Sequence, residues 1–335
     1  MGRPQTRRRF LAGASLAGGA VLAGARTVLG ASDELETTSV RLVNIGVICE
    51  APLMAATELL KAEGFIGIQH VEIPVVRHAE GGALAEAKAD FGLNFVLIEI
   101  GAVEELGGQM VLAGVHVGCF ELFARNDIRS IGRLKGKTVG LQRSPPDLLR
   151  LIALQVGLDP AKDINWVTGA DPQVSPLDLF AAGKIDAFLA FPPEPQELRA
   201  RGLRHAILNT AIDRPWSQYF CCTLVGNRDY IRKYPVATKR VVRAILKTTD
   251  LCANDPAGIA RRIVDGGFTP RYDYALQTLS DVPYDRWREY DPEDTLRYYA
   301  LRLYELGIIK STPQKIIAEN TDWRFFNELK RELKA

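Results

Sequence analysis

From Val40 onward, short apolar runs alternate with segments whose apolar residues recur every three to four positions. Strands covered on both faces read as continuous apolar runs, whereas helices repeat at 3.6 residues. The alternation predicts an α/β chain with largely parallel sheets. Strands are expected at Val40–Ile48, Val71–Val76 and Ala89–Leu93. A helix over Pro52–Ala62 separates the first two, with Pro52 in its first turn and Gly64 beyond its end. Another opens at Gly81-Gly82 and runs to Ala87. Further strands fall at Met110–Val117, Phe120–Arg125, Val139–Gln142, Asn165–Val167, Ile185–Ala190 and Tyr219–Val225, with helices starting at Ser175 and Glu194. Beyond Asn227 the pattern turns helical, at Asp229–Lys233, Pro235–Asn254, Pro256–Asp265, Tyr272–Leu279 and Pro292–Gly307. Such a tail must bury its apolar faces, so it is expected to return onto the first part of the chain.

One phrase occurs twice. Ala87-Lys88-Ala89-Asp90-Phe91-Gly92-Leu93-Asn94-Phe95 aligns with Gly183-Lys184-Ile185-Asp186-Ala187-Phe188-Leu189-Ala190-Phe191, sharing Lys, Asp, Leu and Phe at equal offsets. This suggests two related lobes, each with a helix, a Lys-x-Asp turn and a strand. Asn94-Phe95 and Phe191-Pro192 would then occupy equivalent carboxyl ends of strands, the edge where open α/β sheets bind ligands. The crossings between lobes are expected near Phe123–Arg125 and Leu224–Asn227. That assigns 38–123 with 226–335 to the first lobe and 124–225 to the second.

The 335 residues, 47% apolar and 24% charged, suit a globular chain of two domains. The net charge of +2 owes its sign to the N-terminus, where residues 1–31 hold Arg3, Arg7, Arg8, Arg9, Arg26 and no acid. The remainder carries slightly more acid than base, which argues against nucleic acid as a partner. The N-terminal segment itself, Thr6-Arg7-Arg8-Arg9-Phe10-Leu11 followed by a short Gly/Ala-rich apolar run, resembles a twin-arginine export signal. Cleavage is possible after Ala23-Gly24-Ala25 or after the stretch ending at Gly30-Ala31. The first cysteine is Cys49, so a lipid anchor on a new N-terminal cysteine is not expected. The expectation is a soluble periplasmic protein that meets the twin-arginine translocase during export.

Five cysteines (Cys49, Cys119, Cys221, Cys222, Cys252) are an odd number for an oxidising compartment. No C-x-x-C and no i,i+4 pair among His70, His78, His116 and His205 marks a zinc site, so no metal is expected. Cys221-Cys222 is read as two buried thiols on a strand, with a strained vicinal disulfide as the alternative.

A family resemblance rests on several short signatures in order. They are Gly46 with Pro52-Leu53, Ala62-Glu63-Gly64-Phe65, Ala89-Asp90-Phe91-Gly92, Leu134-Lys135-Gly136-Lys137-Thr138-Val139-Gly140, Leu154-x-x-Gly157-Leu158-Asp159, Ala181-Ala182-Gly183-Lys184-Ile185-Asp186-Ala187 and Asn254-Asp255-Pro256. Between Val40 and Leu306 the chain resembles the periplasmic substrate-binding proteins of ABC importers for nitrate, alkanesulfonates, taurine and thiamine-pyrimidine precursors. The resemblance implies a two-lobed, type II Venus-flytrap fold with two hinge strands, a helical C-terminal region on lobe 1, and an inner-membrane ABC permease as partner. It implies binding without catalysis, by a monomer that needs no cofactor. Two alternatives remain: a pyrimidine-precursor synthase-like enzyme on the same fold, of whose longer cysteine cluster Cys221-Cys222 is a fragment, and a sensor docking on a membrane receptor.

The strand-end rule and the resemblance converge on the same loops. The candidate ligand-binding residues are Glu50 and Ala51; His78 and Gly81; Asn94 and Phe95; His116 and Cys119; Gln142, Arg143 and Ser144; Phe191 and Glu194; and Tyr219 and Cys222. Glu50 and Glu194 would accept hydrogen bonds from ligand amino groups, the alternative being solvated loop carboxylates. Phe95, Phe191 and Tyr219 would form an aromatic slot, although each alone also reads as core. His78 and His116 read as hydrogen-bonding loop residues, and no nucleophile–base set can be assembled from spacing. In the Gln142–Pro146 loop, Pro145 and Pro146 delete N–H donors that would cradle an anion, while Arg143 offers a fork in exchange. The balance favours a neutral or cationic planar, nitrogen-containing ligand over a sulfonate.

Overall fold

The computed structural model describes residues 34–74, 78–141, 147–169 and 174–333. The proposed export signal and the Gln142–Pro146 loop lie outside the described residues.

Among the described residues, ten strands form two sheets of the same design. The first takes β1 (Ser39–Asn44), β2 (Gly67–Glu72), β3 (Phe91–Phe95), β4 (Gln109–Val117) and β10 (Phe220–Asn227), in the order β2-β1-β3-β10-β4. The second takes β5 (Glu121–Ala124), β6 (Lys137–Leu141), β7 (Ile164–Thr168), β8 (Ala187–Ala190) and β9 (Ala206–Asn209), in the order β7-β6-β8-β5-β9. In each sheet the first three strands run parallel and the fourth is antiparallel to its neighbours. The α/β architecture anticipated from the alternation is observed, but the sheets are mixed rather than largely parallel, because β10 and β5, each entering its sheet from a crossing, run antiparallel to both neighbours.

The repeated phrase has a structural cause. Asp90 Oδ2 accepts the Arg41 backbone N–H at 2.7 Å, and Asp186 Oδ2 accepts that of Thr138 at 2.8 Å. Each Asp also donates its own N–H to the same residue's carbonyl, so it clips the turn to the adjacent parallel strand. Its carbonyl in turn accepts the N–H closing the antiparallel strand, from Asn227 in one sheet and Arg125 in the other. Three positions before each Asp, Ala87 (φ 55°) and Gly183 (φ 72°) both turn through the left-handed region.

Helices cover both sheets. Around the first sheet lie α1 (Ala51–Met54), α2 (Thr57–Ala62), α3 (Ala79–Ala85) and α4 (Val96–Glu105). The helix expected over Pro52–Ala62 is two short ones, broken at Ala55-Ala56. The second sheet carries α5 (Asp147–Gln155), α6 (Pro176–Ala181) and α7 (Glu194–Ala200). Ser175 caps α6 by accepting the Asp178 N–H at 3.2 Å, as its sequence predicts.

The tail adds α8 (Arg228–Lys233), α9 (Pro235–Asn254), α10 (Pro256–Asp265), α11 (Tyr272–Asp281), α12 (Pro292–Glu305), α13 (Pro313–Asn320) and α14 (Arg324–Glu332). It returns to the first sheet: α9 packs on α1, α2 and β4, while α12 packs on α4 and β10. Its burial is locked by Asp250, which accepts Trp287 Nε1 at 2.8 Å and both arms of Arg288 at 2.5 and 2.7 Å. Val111 bridges Thr321 and accepts the Asp322 N–H, so the tail also caps the outer edge of β4.

The crossings between sheets lie elsewhere than expected. The chain leaves the first sheet after β4, at Gly118–Phe120, and returns after β9, along 210–219. Consequently β5 belongs wholly to the second sheet and β10 wholly to the first. Strands β4 and β5 are buried along nearly their whole length, so no change in hydrophobic pattern marks where one sheet gives way to the other. The two crossings are joined to each other. Phe120 N–H donates to Thr210 Oγ1 at 2.9 Å, and Thr210 N–H donates to the Phe120 carbonyl at 2.9 Å.

Candidate functional site

Strands β1, β3 and β4 end, and β10 begins, at the edge of the first sheet that faces the crossings. Beneath that edge lies a small, partly open cavity of about 10 Å³, room for a single water, walled by Phe95, Phe120, Leu148, Trp216, Tyr219 and Tyr299 and touched by Cys221. The rings pack on one another: Phe95 on Phe120 with centroids 4.8 Å apart, and Phe120 on Phe191 at 5.6 Å. Tyr219 stacks on Tyr298 at 4.0 Å and 13°. The cavity takes its walls from the first sheet, the two crossings, α5 and α12.

Side chains also bridge the helices on the second sheet to those of the tail. Gln155 of α5 donates to Tyr298 of α12 at 2.6 Å. Gln196 and Arg199 of α7 both donate to Asp281 of α11, at 3.1 and 3.3 Å. Arg199 is held for this by its Nη2, which donates to both oxygens of the buried Glu121, at 2.6 and 2.8 Å.

The expected ligand-binding residues divide by location. Phe95, Phe191 and Tyr219 join the aromatic group, and Cys119 and Cys222 lie just behind it. Asn94 instead faces its own lobe, donating to Glu99 Oε2 at 2.8 Å. Glu194 closes its own turn by accepting the Phe191 N–H at 3.1 Å. His78 caps α3 at φ 59°, with Nδ1 3.0 Å from Glu105. Gly81 is a packing site, since a Cβ there would lie 2.8 Å from the Ala102 methyl. Ala51 is fully buried at the start of α1. Gln142, Arg143 and Ser144 lie outside the described residues.

Sequence spacing gives no sign of the strongest local chemistry. Cys49, Cys119, Cys221 and Cys222 come together around His116, all of them buried. The ligand atoms of Cys49, His116 and Cys119 lie within 4.8 Å of one another, as do those of His116, Cys221 and Cys222. Cys119 Sγ and Cys221 Sγ are 3.3 Å apart, as thiols. Register shifts flank Cys222 in its pairing with β4. A bulge of this kind lets neighbouring residues share a side, which alternation in a regular strand forbids. Tyr284, from the tail, donates to the Cys49 carbonyl at 2.9 Å and sets its ring edge against His116. Contacts with the Cys119 and Cys222 thiols, with His116 close by, hold the Cys49 thiol well below the ordinary thiol range, against the opposing effect of burial. Its contacts with Cys221 and Cys49, together with burial, push Cys119 up.

Three buried carboxyls adjoin this region. Burial, together with the charge of Glu80, pushes Glu50 well above the carboxylate range, and burial with Glu99 does the same for Glu80. Glu99 is pushed up to about 7 by burial, against the opposing effect of the Asn94 hydrogen bond. Glu50 Oε2, Glu80 Oε2 and Glu99 Oε1 have no hydrogen-bond partner among the described residues. Among the described residues no helix is long and apolar enough to cross a membrane.

Comparison with known proteins places this geometry in a class. Residues 123–264 match the model of the NMT1-like family. The periplasmic nitrate-binding protein NrtA of Synechocystis PCC 6803 superposes with a TM-score of 0.70 at 12% identity, over 90% of each chain. A putative sulfonate-binding SsuA of Methylobacillus flagellatus KT gives 0.66 at 19% identity, over 90% of this chain and 96% of its own. A mutant of DSZB in complex with biphenyl-2-sulfinic acid gives 0.61 at 15% identity, over 88% and 99%. Comparison with curated protein sequences gives no match. The chain has the two-lobed α/β fold of the periplasmic binding proteins, and the resemblance drawn from its sequence signatures is met by both the family model and the fold.

Proposed function

We propose that this chain is the solute-binding component of an ABC importer, exported by the twin-arginine route and working in the periplasm as a monomer. It would close its two lobes on a small, planar, nitrogen-containing molecule and present it to an inner-membrane permease. The aromatic group at the crossings that join the two sheets supports this reading most directly, because hinge closure there needs few backbone changes while both lobes move. Glu50, buried just beyond the end of β1 with Oε2 unpartnered among the described residues, supports an amine-bearing ligand over a sulfonate, since an unsatisfied buried acceptor is costly until a donor arrives.

Native mass spectrometry of the protein purified from its own compartment tests the reading. The expected result is one planar amine-bearing molecule per chain, released unchanged on denaturation. Micromolar binding of taurine or nitrate would overturn the ligand class. A mixture of substrate and product would replace binding by catalysis on the same fold.

The contacts of α7 with Asp281 give a second check. Asp281→Ala should weaken the ligand's Kd by roughly two- to fivefold, in the range of a half-exposed ion pair. The urea midpoint should stay nearly unchanged. An unaltered Kd would remove Asp281 from the closing mechanism.

A further inference from the structure

We propose that Cys49, Cys119, His116 and the Cys221-Cys222 pair form a binding site for a soft d10 cation, Zn²⁺ or monovalent copper, at the junction of the two crossings. The donor set is thiolate and imidazole, which selects such ions over hard cations. Tetrahedral zinc thiolates place their sulfurs roughly 3.8 Å apart, from Zn–S bonds of about 2.3 Å. The ligand atoms of each triad already lie within 4.8 Å of one another, so small side-chain shifts complete the geometry.

His116 supplies an independent indication. Its Nδ1 is 3.1 Å from the Val117 carbonyl, which can only accept, so Nδ1 carries the proton. Nε2 is then left with a lone pair, and it is buried without a hydrogen-bond partner among the described residues. A backbone carbonyl that fixes the tautomer, so that the other nitrogen faces the ion, is the usual arrangement around a metal-bound histidine. The orphaned acceptor costs stability until something electrophilic occupies that side.

The charge balance is simple. Each coordinating thiol gives one proton to solvent and binds as thiolate, with no change of oxidation state. Two thiolates neutralise a dication, and a third leaves one negative charge. The ligands come from the segment after β1, the end of β4, the first crossing and the start of β10. An ion there would tie both strands that lead into the crossings to the body of the first lobe. This site stands independently of the transported ligand.

The test uses the full chain, reduced, stripped with a chelator, and titrated with Zn²⁺ alone against a chromophoric competitor. One Zn²⁺ per chain is expected, with affinity falling at least tenfold in His116→Ala and Cys119→Ser and unchanged in Cys252→Ser. Cu⁺ in a parallel competition shows which ion the site prefers. Where a cluster variant fails to fold, alkylation of the wild-type chain in mild denaturant gives the readout. Zn²⁺ should slow modification of Cys49, Cys119 and the Cys221-Cys222 pair at least tenfold and leave Cys252 unaffected. Absence of stoichiometric binding by the reduced chain overturns the site. So does protection that spreads equally to Cys252, or a stable Cys119–Cys221 disulfide whose reduction yields no binding.

Discussion

Gly118→Ala should lower the stability of the chain by about 1–3 kcal/mol, the usual cost of forcing an extra methyl into a packed interior. A Cβ at this position would lie 2.1 Å from the Thr210 carbonyl oxygen, 2.2 Å from its carbon and 2.5 Å from the Ala211 nitrogen. All three are backbone atoms, so no rotamer change relieves the clash. The crossings would have to part where Phe120 and Thr210 are hydrogen-bonded to each other, and ligand closure should suffer with stability. Gly132→Ala is the control, because a Cβ there meets nothing within 4 Å. Urea unfolding of the two variants decides the matter: the Gly132 variant should stay within about 0.5 kcal/mol of the wild type. Equal midpoints for both would mean the crossings are not in firm contact.

Glu99→Gln should have an effect whose size depends on pH. The carboxyl is wholly buried and pushed up to about 7, against an ordinary value of 4.5, so the folded state holds its proton where the unfolded chain has lost it. The sign follows from that proton count. Stability from the protonated form is fully present below about pH 4.5 and is lost as pH rises through about 7. Between pH 5 and pH 8 the wild type should therefore lose about 2–3 kcal/mol through this residue. The Gln variant keeps the hydrogen-bonding shape beside Asn94 without a titrating proton. It should match the wild type near pH 5 and exceed it at pH 8. Parallel pH profiles for the two proteins would falsify the assignment.

Much of this architecture was legible in the chain because each strand-and-helix unit carries its own punctuation. The Lys-x-Asp phrase is the clearest case, since Asp90 and Asp186 perform the same backbone clip in the two sheets. Helices α9 and α10 match their expected bounds because Pro begins each one and one face of each is polar. By contrast α4 gave no signal: seven of its ten residues are buried, so it lacks the polar stripe by which a helix is recognised. Strand β2 lies earlier than expected because its residues are only partly covered, which blurs the apolar run.

The site was half legible for a related reason. Strand ends announce themselves locally, and they led to Phe95, Phe191 and Tyr219. Whether a polar residue at such an end faces the cleft or its own lobe depends on its surroundings in the fold, as Asn94 with Glu99 and Glu194 with its own turn illustrate. The thiol cluster draws on three separated segments and on a bulge, so no spacing rule could have assembled it.

The routing of the strands also sets an order of assembly. All five strands of the second sheet lie within one continuous stretch, 121–209, and can pair as soon as that stretch leaves the ribosome. The first sheet cannot, because β10 must insert between β3 and β4 after more than a hundred residues have intervened. Until then β3 and β4 each expose an unpaired edge, the surface most prone to pairing with another chain. The lobe made first is thus the one finished last, and chaperone demand during synthesis should fall on its waiting edges.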